Sequence, residues 1–293
     1  MQFYLLVNPV SGNRSALDAA ARVQRLLQDA GHEAKLELTT GKGDAHQRAR
    51  AALTAGCNAV LVCGGDGTLQ EVAGALAGTP VPLGIIPRGR CNDFARTLGL
   101  SRRDSPERLA QIFLAQKTRA LDLGTVGNQV FLTVATLGFD SEASRFVETR
   151  RLWVRGTVAY LYAVLRVLQR FEFPVVQFRG EFGTIEGRIL LAATANAPSY
   201  GGAMMIAPDA VPDDGRFHIT LVNQVSRLTV LRMLPRVMRG THITHPAVRV
   251  LTSSWIEYSS PKAPLWICAD GESLCQTPCR FEIRPRALKV LAP

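Results

Sequence analysis

Through its first 125 residues the chain alternates compact apolar runs with stretches of helical period. Residues 3–8 open as an apolar strand. Residues 15–30 carry Leu17, Ala20, Ala21, Val23, Leu26 and Leu27 at helical spacing and stop at Gly31, a residue suited to the left-handed position after a helix. Residues 34–40 bring Leu36 and Leu38 to one face of a strand, and 44–55 read as a helix closed by Gly56. A third strand at 59–63, a helix at 69–76, a fourth strand at 82–87 and a helix at 106–115 follow. Strands joined by such helices are βαβ units, so the pattern predicts a doubly wound α/β layer on a parallel sheet.

After residue 125 the period changes. Residues 129–136 are β-rich, and 141–148 and 156–171 are helical. Short alternating runs then occupy 175–182, 186–196, 216–222, 248–252, 255–258, 264–269 and 280–283, with one more helix at 228–238. This is the pattern of an antiparallel β-sandwich with helical insertions. Two domains are expected, an α/β domain over 1–125 and a β-rich domain over 126–293, the last strand free to pack back on the first. A ligand cleft between them is expected.

Composition narrows the picture. The 293 residues are 47% hydrophobic and 20% charged, enough for two cores and without a disorder signature. The longest apolar stretch, 153–171, is interrupted by Arg155, Arg166, Gln169 and Arg170, so no membrane-spanning helix is expected. The first residues read as a strand and not as a signal peptide, which points to the cytoplasm. The net charge of +10 comes from 29 Arg and 5 Lys against 24 carboxylates. It favours phosphate-bearing partners: nucleotides, nucleic acid or anionic lipid. Aromatic residues make up only 7% and no nucleic-acid motif accompanies the charge, which counts against nucleic acid. The six cysteines form no CxxC pair and read as free or buried thiols, with Cys268, Cys275 and Cys279 close enough in sequence to interact. His242 and His245 have no acidic or thiol neighbour and read as surface or loop residues.

The candidate chemistry sits where strands end. Residues 60–68 run from an apolar strand into Gly64-Gly65-Asp66-Gly67-Thr68 and then a helix. Glycines let backbone N–H groups approach an anion, and the helix start adds partial positive charge. Asp66 would repel bare phosphate but suits a divalent cation or an attacking hydroxyl. A plain glycine turn capped by Asp66 is the simpler alternative. Strand 3–8 ends in Asn8-Pro9-Val10-Ser11-Gly12, and strand 82–87 leads into Arg88-Gly89-Arg90-Cys91-Asn92-Asp93, where Asn92 and Asp93 are good N-caps. Such loops lie at the carboxyl edge of a parallel sheet, where ligands bind. No GxxxxGK[ST] or GxGxxG loop is present.

Taken in order, NPVSG, TTGKGDA (39–45), GGDGT, PRGRCNDFAR, LDLG (121–124), LGFD (137–140), YGG (200–202), IAPDA (206–210), DDG (213–215) and ADGE (269–272) resemble the diacylglycerol kinase catalytic family. More closely, they resemble its soluble bacterial lipid kinases of the YegS type. GGDGT alone is shared with NAD kinases and sphingosine kinases; the elements of the second half argue for the lipid-kinase branch.

The resemblance implies an N-terminal α/β domain of the NAD-kinase and diacylglycerol-kinase kind, a C-terminal sandwich, and transfer of the γ-phosphate of ATP to a lipid hydroxyl. It implies that Asn8, Pro9, Ser11, Gly12, Thr39, Thr40, Gly64, Gly65, Asp66, Gly67, Thr68, Gly89, Arg90, Asn92 and Asp93 hold ATP. Asp66, Asp93 and Asp122 would surround Mg²⁺. Asp270 would be the general base with Glu272 beside it. Asp214, with the carbonyls of Val211 and Arg216, would hold a second, structural Mg²⁺. Metal, donors on the phosphates and a carboxylate at the nucleophile are what phosphoryl transfer needs.

The chain departs from the family pattern at Arg90, where a threonine is usual, and at Thr133, where asparagine is common. The arginine-bearing helix at 156–171 (preceded by Arg145, Arg150 and Arg151) reads either as a membrane-contacting surface or as a helix packed on its own domain, and 228–238, with Arg227, Arg232, Arg236 and Arg239, as touching either anionic lipid or only solvent. The expected partner is a diacylglycerol-like, phosphatidylglycerol-like or sphingoid lipid at the inner membrane face, with anionic phospholipid as a further partner and a dimer left open. The rival readings are a kinase of a soluble substrate such as NAD, and a nucleotide or lipid sensor impaired by Arg90.

Overall fold

The computed structural model describes residues 1–149 and 157–293. The chain divides into two compact units, Met1–Leu123 with Arg284–Pro293, and Gly124–Ile283. In the first unit β1 (Gln2–Val7), α1 (Ser15–Asp29), β2 (Glu33–Leu38), α2 (Asp44–Thr54), β3 (Ala59–Gly64), α3 (Asp66–Leu76) and β4 (Leu83–Pro87) alternate as expected. Two short helices, α4 (Asp93–Thr97) and α5 (Pro106–Ala115), lead to β5 (Thr118–Val126), which runs past the unit boundary. The sheet order β2-β1-β3-β4 is parallel throughout. β1, β3 and β4 are almost wholly buried, the mark of a sheet covered on both faces.

The second unit holds β6 (Gln129–Phe131), β7 (Val134–Gly138), α6 (Phe139–Thr149), α7 (Thr157–Arg170), β8 (Val175–Gly180), β9 (Gly183–Ala195), β10 (Phe217–Asn223), α8 (Arg227–Met238), β11 (Val248–Ser253), β12 (Trp255–Ser259), β13 (Trp266–Ala269), β14 (Glu272–Gln276) and the start of β15 (Cys279–Leu291), whose residues from Arg284 on belong to the first unit. β9 belongs to two antiparallel sheets. Its first half pairs with β8, which continues to β12 and β15; its second half pairs with β7 and β10, which continue to β13-β14 and to β11. Phe131, Leu137, Phe178, Phe217, Ile256, Tyr258 and Phe281 fill the space between the sheets, with Phe131 and Phe217 stacked and Phe281 edge-on to Phe131 and Tyr258. Helices α6, α7 and α8 share a second apolar cluster on Leu190 and Val222 of this unit.

The α/β-plus-sandwich reading holds, with three local differences. The β-rich run at 129–136 is broken at Leu132–Thr133, whose backbone N–H groups turn to a side chain instead of a strand. β5 and β14 carry too little alternation to read as strands. The last strand, read only over 280–283, runs on to Leu291, and Val290 pairs with Leu83 inside the first unit. His242 is fully buried, not a surface residue: its Nε2 donates to the Ile206 carbonyl at 3.1 Å. All six cysteines are free thiols, and burial pushes the Cys63 thiol up to about 12.

Candidate active site

In the first unit the ends of β1, β3 and β4 bring three loops together. Asn8 Nδ2 donates to Thr68 Oγ1 at 3.0 Å, joining the first loop to the Gly-Gly-Asp-Gly-Thr loop. The Asn8 carboxamide oxygen accepts from Val10 N at 3.1 Å, which turns the chain past Pro9 toward Ser11. Gly12 has φ +63°, and a Cβ there would lie 2.7 Å from the Arg88 carbonyl oxygen, so only glycine fits against the third loop. Thr39 is buried beside β1, its N–H bonded to Val7 O at 2.9 Å, while Thr40 is exposed and donates its N–H to Asp44 at the start of α2.

The second and third loops touch backbone to backbone. A Cβ on Gly89 would stand 2.3 Å from Gly65 Cα, and Arg88 N donates to Gly64 O at 3.1 Å. Asn92 does not cap α4 with its side chain. It sits in the left-handed region at φ +51°, and its carboxamide accepts from Gly89 N at 2.8 Å and donates to Gly89 O at 2.9 Å, closing the loop on itself. Its backbone N–H donates to Asp66 Oδ2 at 2.9 Å. Asp66 is the first residue of α3, after Gly65 at the N-cap position, so it is not the cap of a glycine turn. Asp93 pairs with Arg96 at 2.6 Å. Burial, then the charges of Asp93 and Asp66, push the Cys91 thiol up and make it a poor nucleophile. Arg90 is exposed, whereas Arg88 is buried and spends its guanidinium on the carbonyls of Pro87, Arg102 and Asp104.

Asp66 and Asp93 therefore share one loop region, and Asp122 does not join them in a cage. Asp122 is fully buried on β5 and accepts from Arg286 N at 2.7 Å, where the backbone of β15 turns left-handed at φ +51°. Among the described residues no group of three or more His, Cys, Asp or Glu side chains could hold a metal ion. The half-buried Asp66, next to glycine N–H groups, fits the way Mg²⁺ is usually held in kinases, by one or two carboxylates plus the substrate's phosphates. Of the Asp214 carboxylate, one oxygen accepts from Arg216 N at 2.9 Å and the other meets His218 Nε2 at 2.9 Å.

In the second unit Asp270 lies on the tight turn between β13 and β14. Asp270 and Gly271 are both left-handed, at φ +50° and +88°, the geometry of a two-residue hairpin turn. Three donors hold its carboxylate: Leu132 N at 2.8 Å, Thr133 N at 3.0 Å and Thr133 Oγ1 at 2.5 Å. Asn196, fully buried, braces the same break through Asn196 Nδ2 to Leu132 O at 3.1 Å and its own N–H to Thr133 O at 2.8 Å. Glu272, half-buried, opens β14 two residues on. Asn196 carried no signal in the sequence. Thr133 stood out only as a departure from the family pattern.

Two family models match the chain in the same order as the two folds. The diacylglycerol kinase catalytic domain matches residues 2–126, and the YegS C-terminal NAD kinase beta sandwich-like domain matches 133–292. The chain belongs to the diacylglycerol kinase catalytic family, a phosphotransferase family of lipid kinases, in its YegS-type branch. It is 34% identical over 295 residues to a protein named "Diacylglycerol kinase" from Mycobacterium tuberculosis, covering 98% of this chain and 94% of the relative. It is 33% identical over 267 residues to "Probable lipid kinase YegS-like" from Pseudomonas fluorescens, covering 90% and 87%. A crystal structure of a diacylglycerol kinase from Bacillus anthracis superposes with a TM-score of 0.76 at 20% identity, covering 100% of this chain and 97% of that one, which speaks for the fold alone.

Proposed function

We propose that the protein transfers the γ-phosphate of ATP to the hydroxyl of a diacylglycerol-like, phosphatidylglycerol-like or sphingoid lipid presented at a membrane surface. The observation that carries this reading is a half-buried carboxylate, Asp270, held by three donors on the turn of a hairpin, in a chain whose other unit presents a glycine-rich anion loop. The N–H groups of Gly65–Thr68, with those of Arg90 and Cys91 in the third loop, supply backbone donors for the phosphates, and Asn8 and Thr68 keep the first two loops in register. Asp66 holds the metal on the phosphates; Mg²⁺, when bound, neutralises charge that builds on the transferring group. Asp270 accepts the proton of the lipid hydroxyl as its oxygen bonds to the γ-phosphorus and ADP leaves. Leu132 and Thr133 orient that carboxylate, and Glu272 adds negative charge beside it.

The test is transfer of label from γ-³²P-ATP with Mg²⁺ to micellar diacylglycerol, phosphatidylglycerol, sphingosine, ceramide and undecaprenol, with NAD run alongside. A labelled lipid is the expected product. Labelled NAD alone would replace this reading with a soluble-substrate kinase, and no product with ATP binding intact would replace it with the sensor reading.

A further inference from the structure

Helix α8 turns apolar side chains in two directions. Ser226 caps its start by accepting from Thr229 N at 3.1 Å, and Val230 and Met233 are buried against the cluster shared with α6 and α7. Yet Leu228, Leu231 and Met238 are 55%, 39% and 52% exposed. These three are interleaved with Arg227, Arg232 and Arg239, which are exposed and whose guanidinium groups, among the described residues, have no hydrogen-bond or ion-pair partner. Arg236 differs: it is spent on Thr241 O and Thr244 Oγ1. Residues 215–256 contain six arginines and no carboxylate. Helix α7, which packs on the same cluster, repeats the theme, with Tyr162 and Leu165 exposed beside Arg166 and Arg170 and no acidic residue along its length.

Exposed large apolar side chains in one group cost free energy in water and usually mark a contact. Unpaired arginines among them, in a stretch from 215 to 256 that has no carboxylate, suit a partner that is apolar within and anionic at its surface. We infer that the outer face of α8, extended by Tyr162 and Leu165 of α7, docks the protein on an anionic bilayer. Leu228, Leu231 and Met238 enter the headgroup–acyl boundary, and Arg227, Arg232 and Arg239 meet lipid phosphates. This inference rests on the lipid-kinase reading, since it names the surface on which that substrate is met. Arg150, Arg151 and Arg155, which precede α7 in the chain, lie outside the described residues.

The experiment is sedimentation of the full chain, without ATP, with vesicles of phosphatidylcholine alone or mixed with phosphatidylglycerol. Binding is expected on the mixed vesicles, weakening as salt is raised. The double variant Leu228→Glu with Leu231→Glu, and the triple variant with Arg227, Arg232 and Arg239 changed to Gln, should each lower the partition coefficient about tenfold or more. Arg25→Gln with Arg50→Gln, two exposed arginines of the first unit, should leave it unchanged. Unchanged thermal unfolding confirms that the variants fold. No preference for anionic vesicles, α8 variants that bind like the parent, or equal loss in the control pair would each overturn the inference; selective capture of a protein on this face in place of vesicles would overturn it too. Transfer of phosphate to micellar lipid is measured in parallel. Vesicle binding without transfer removes the kinase reading alone, and transfer without vesicle binding removes the docking surface alone.

Discussion

Thr133 donates to Asp270 twice, through its backbone N–H at 3.0 Å and through its hydroxyl at 2.5 Å. Asp270→Asn is expected to lower kcat by about 10²–10⁴, the usual contribution of a general base, while ATP binding measured by calorimetry stays intact. Full activity in this variant would remove Asp270 as the base. Thr133→Val leaves the backbone bond but deletes the hydroxyl, so kcat should fall about tenfold or more with KM for ATP unchanged, and Thr133→Ser should restore it. A Thr133→Val enzyme as active as the parent would make the contact structural only.

Asp66 holds the Asn92 N–H at 2.9 Å and stands at the first position of α3. Asp66→Asn keeps an acceptor for that N–H but loses the charge that binds Mg²⁺. The expected result is a higher Mg²⁺ concentration at half-maximal activity and little change in thermal stability. Chelation with EDTA should abolish transfer by the parent and leave its unfolding temperature nearly unchanged, because no described group of side chains forms a structural metal cage. A large drop in unfolding temperature on chelation would contradict this.

Arg90 is exposed on the loop that Asn92 closes. If it stands in for the hydroxyl usual at this position by reaching the phosphates, Arg90→Ala raises KM for ATP, and an unchanged or lower KM sinks the idea. Gly89→Ala tests the loop contact itself. Its Cβ would meet Gly65 Cα at 2.3 Å, so a cost of about 1–3 kcal/mol in unfolding free energy is expected, together with weaker ATP binding. Gly31→Ala is the contrast: its Cβ meets nothing within 4 Å, so only the strain of φ +82° is felt there.

His242 sets a pH dependence. Burial holds its imidazole below the ordinary 6.5, and Nδ1 has no hydrogen-bond partner. Arg236 adds charge repulsion, opposed by the bond to Ile206 O. Because the folded pKa is depressed, the unfolded chain binds the proton first. Stability is therefore full above about 6.5 and falls as pH drops below it, with a slope approaching about 1.4 kcal/mol per pH unit. Chemical unfolding from pH 7.5 to 5 should show this slope, and His242→Gln should flatten it. An equal slope in both proteins would assign the titration elsewhere.

The parallel sheet, the strand-to-loop positions of Asn8, Asp66 and Gly89, and the change to a sandwich after residue 125 were all legible in the chain. Hydrophobic period and glycine placement are local properties, written within a dozen residues. The role of Asn92 as the brace of its loop was not, since N-cap chemistry is the local expectation and its left-handed backbone goes with bonds to Gly89 and to the distant Asp66. His242 read as polar and exposed because its apolar surroundings come from α8 and residues near 206, far apart in sequence. The residue types able to perform phosphoryl transfer, and their order, can be read along the chain. Which of them meet is settled in the folded molecule. Asp270 reaches Leu132 and Thr133 across 137 residues or more, and Asp122 is drawn to Arg286 across 164. Those choices follow from strand pairing and from the need of each buried N–H and carboxylate for a partner, and no local pattern encodes them.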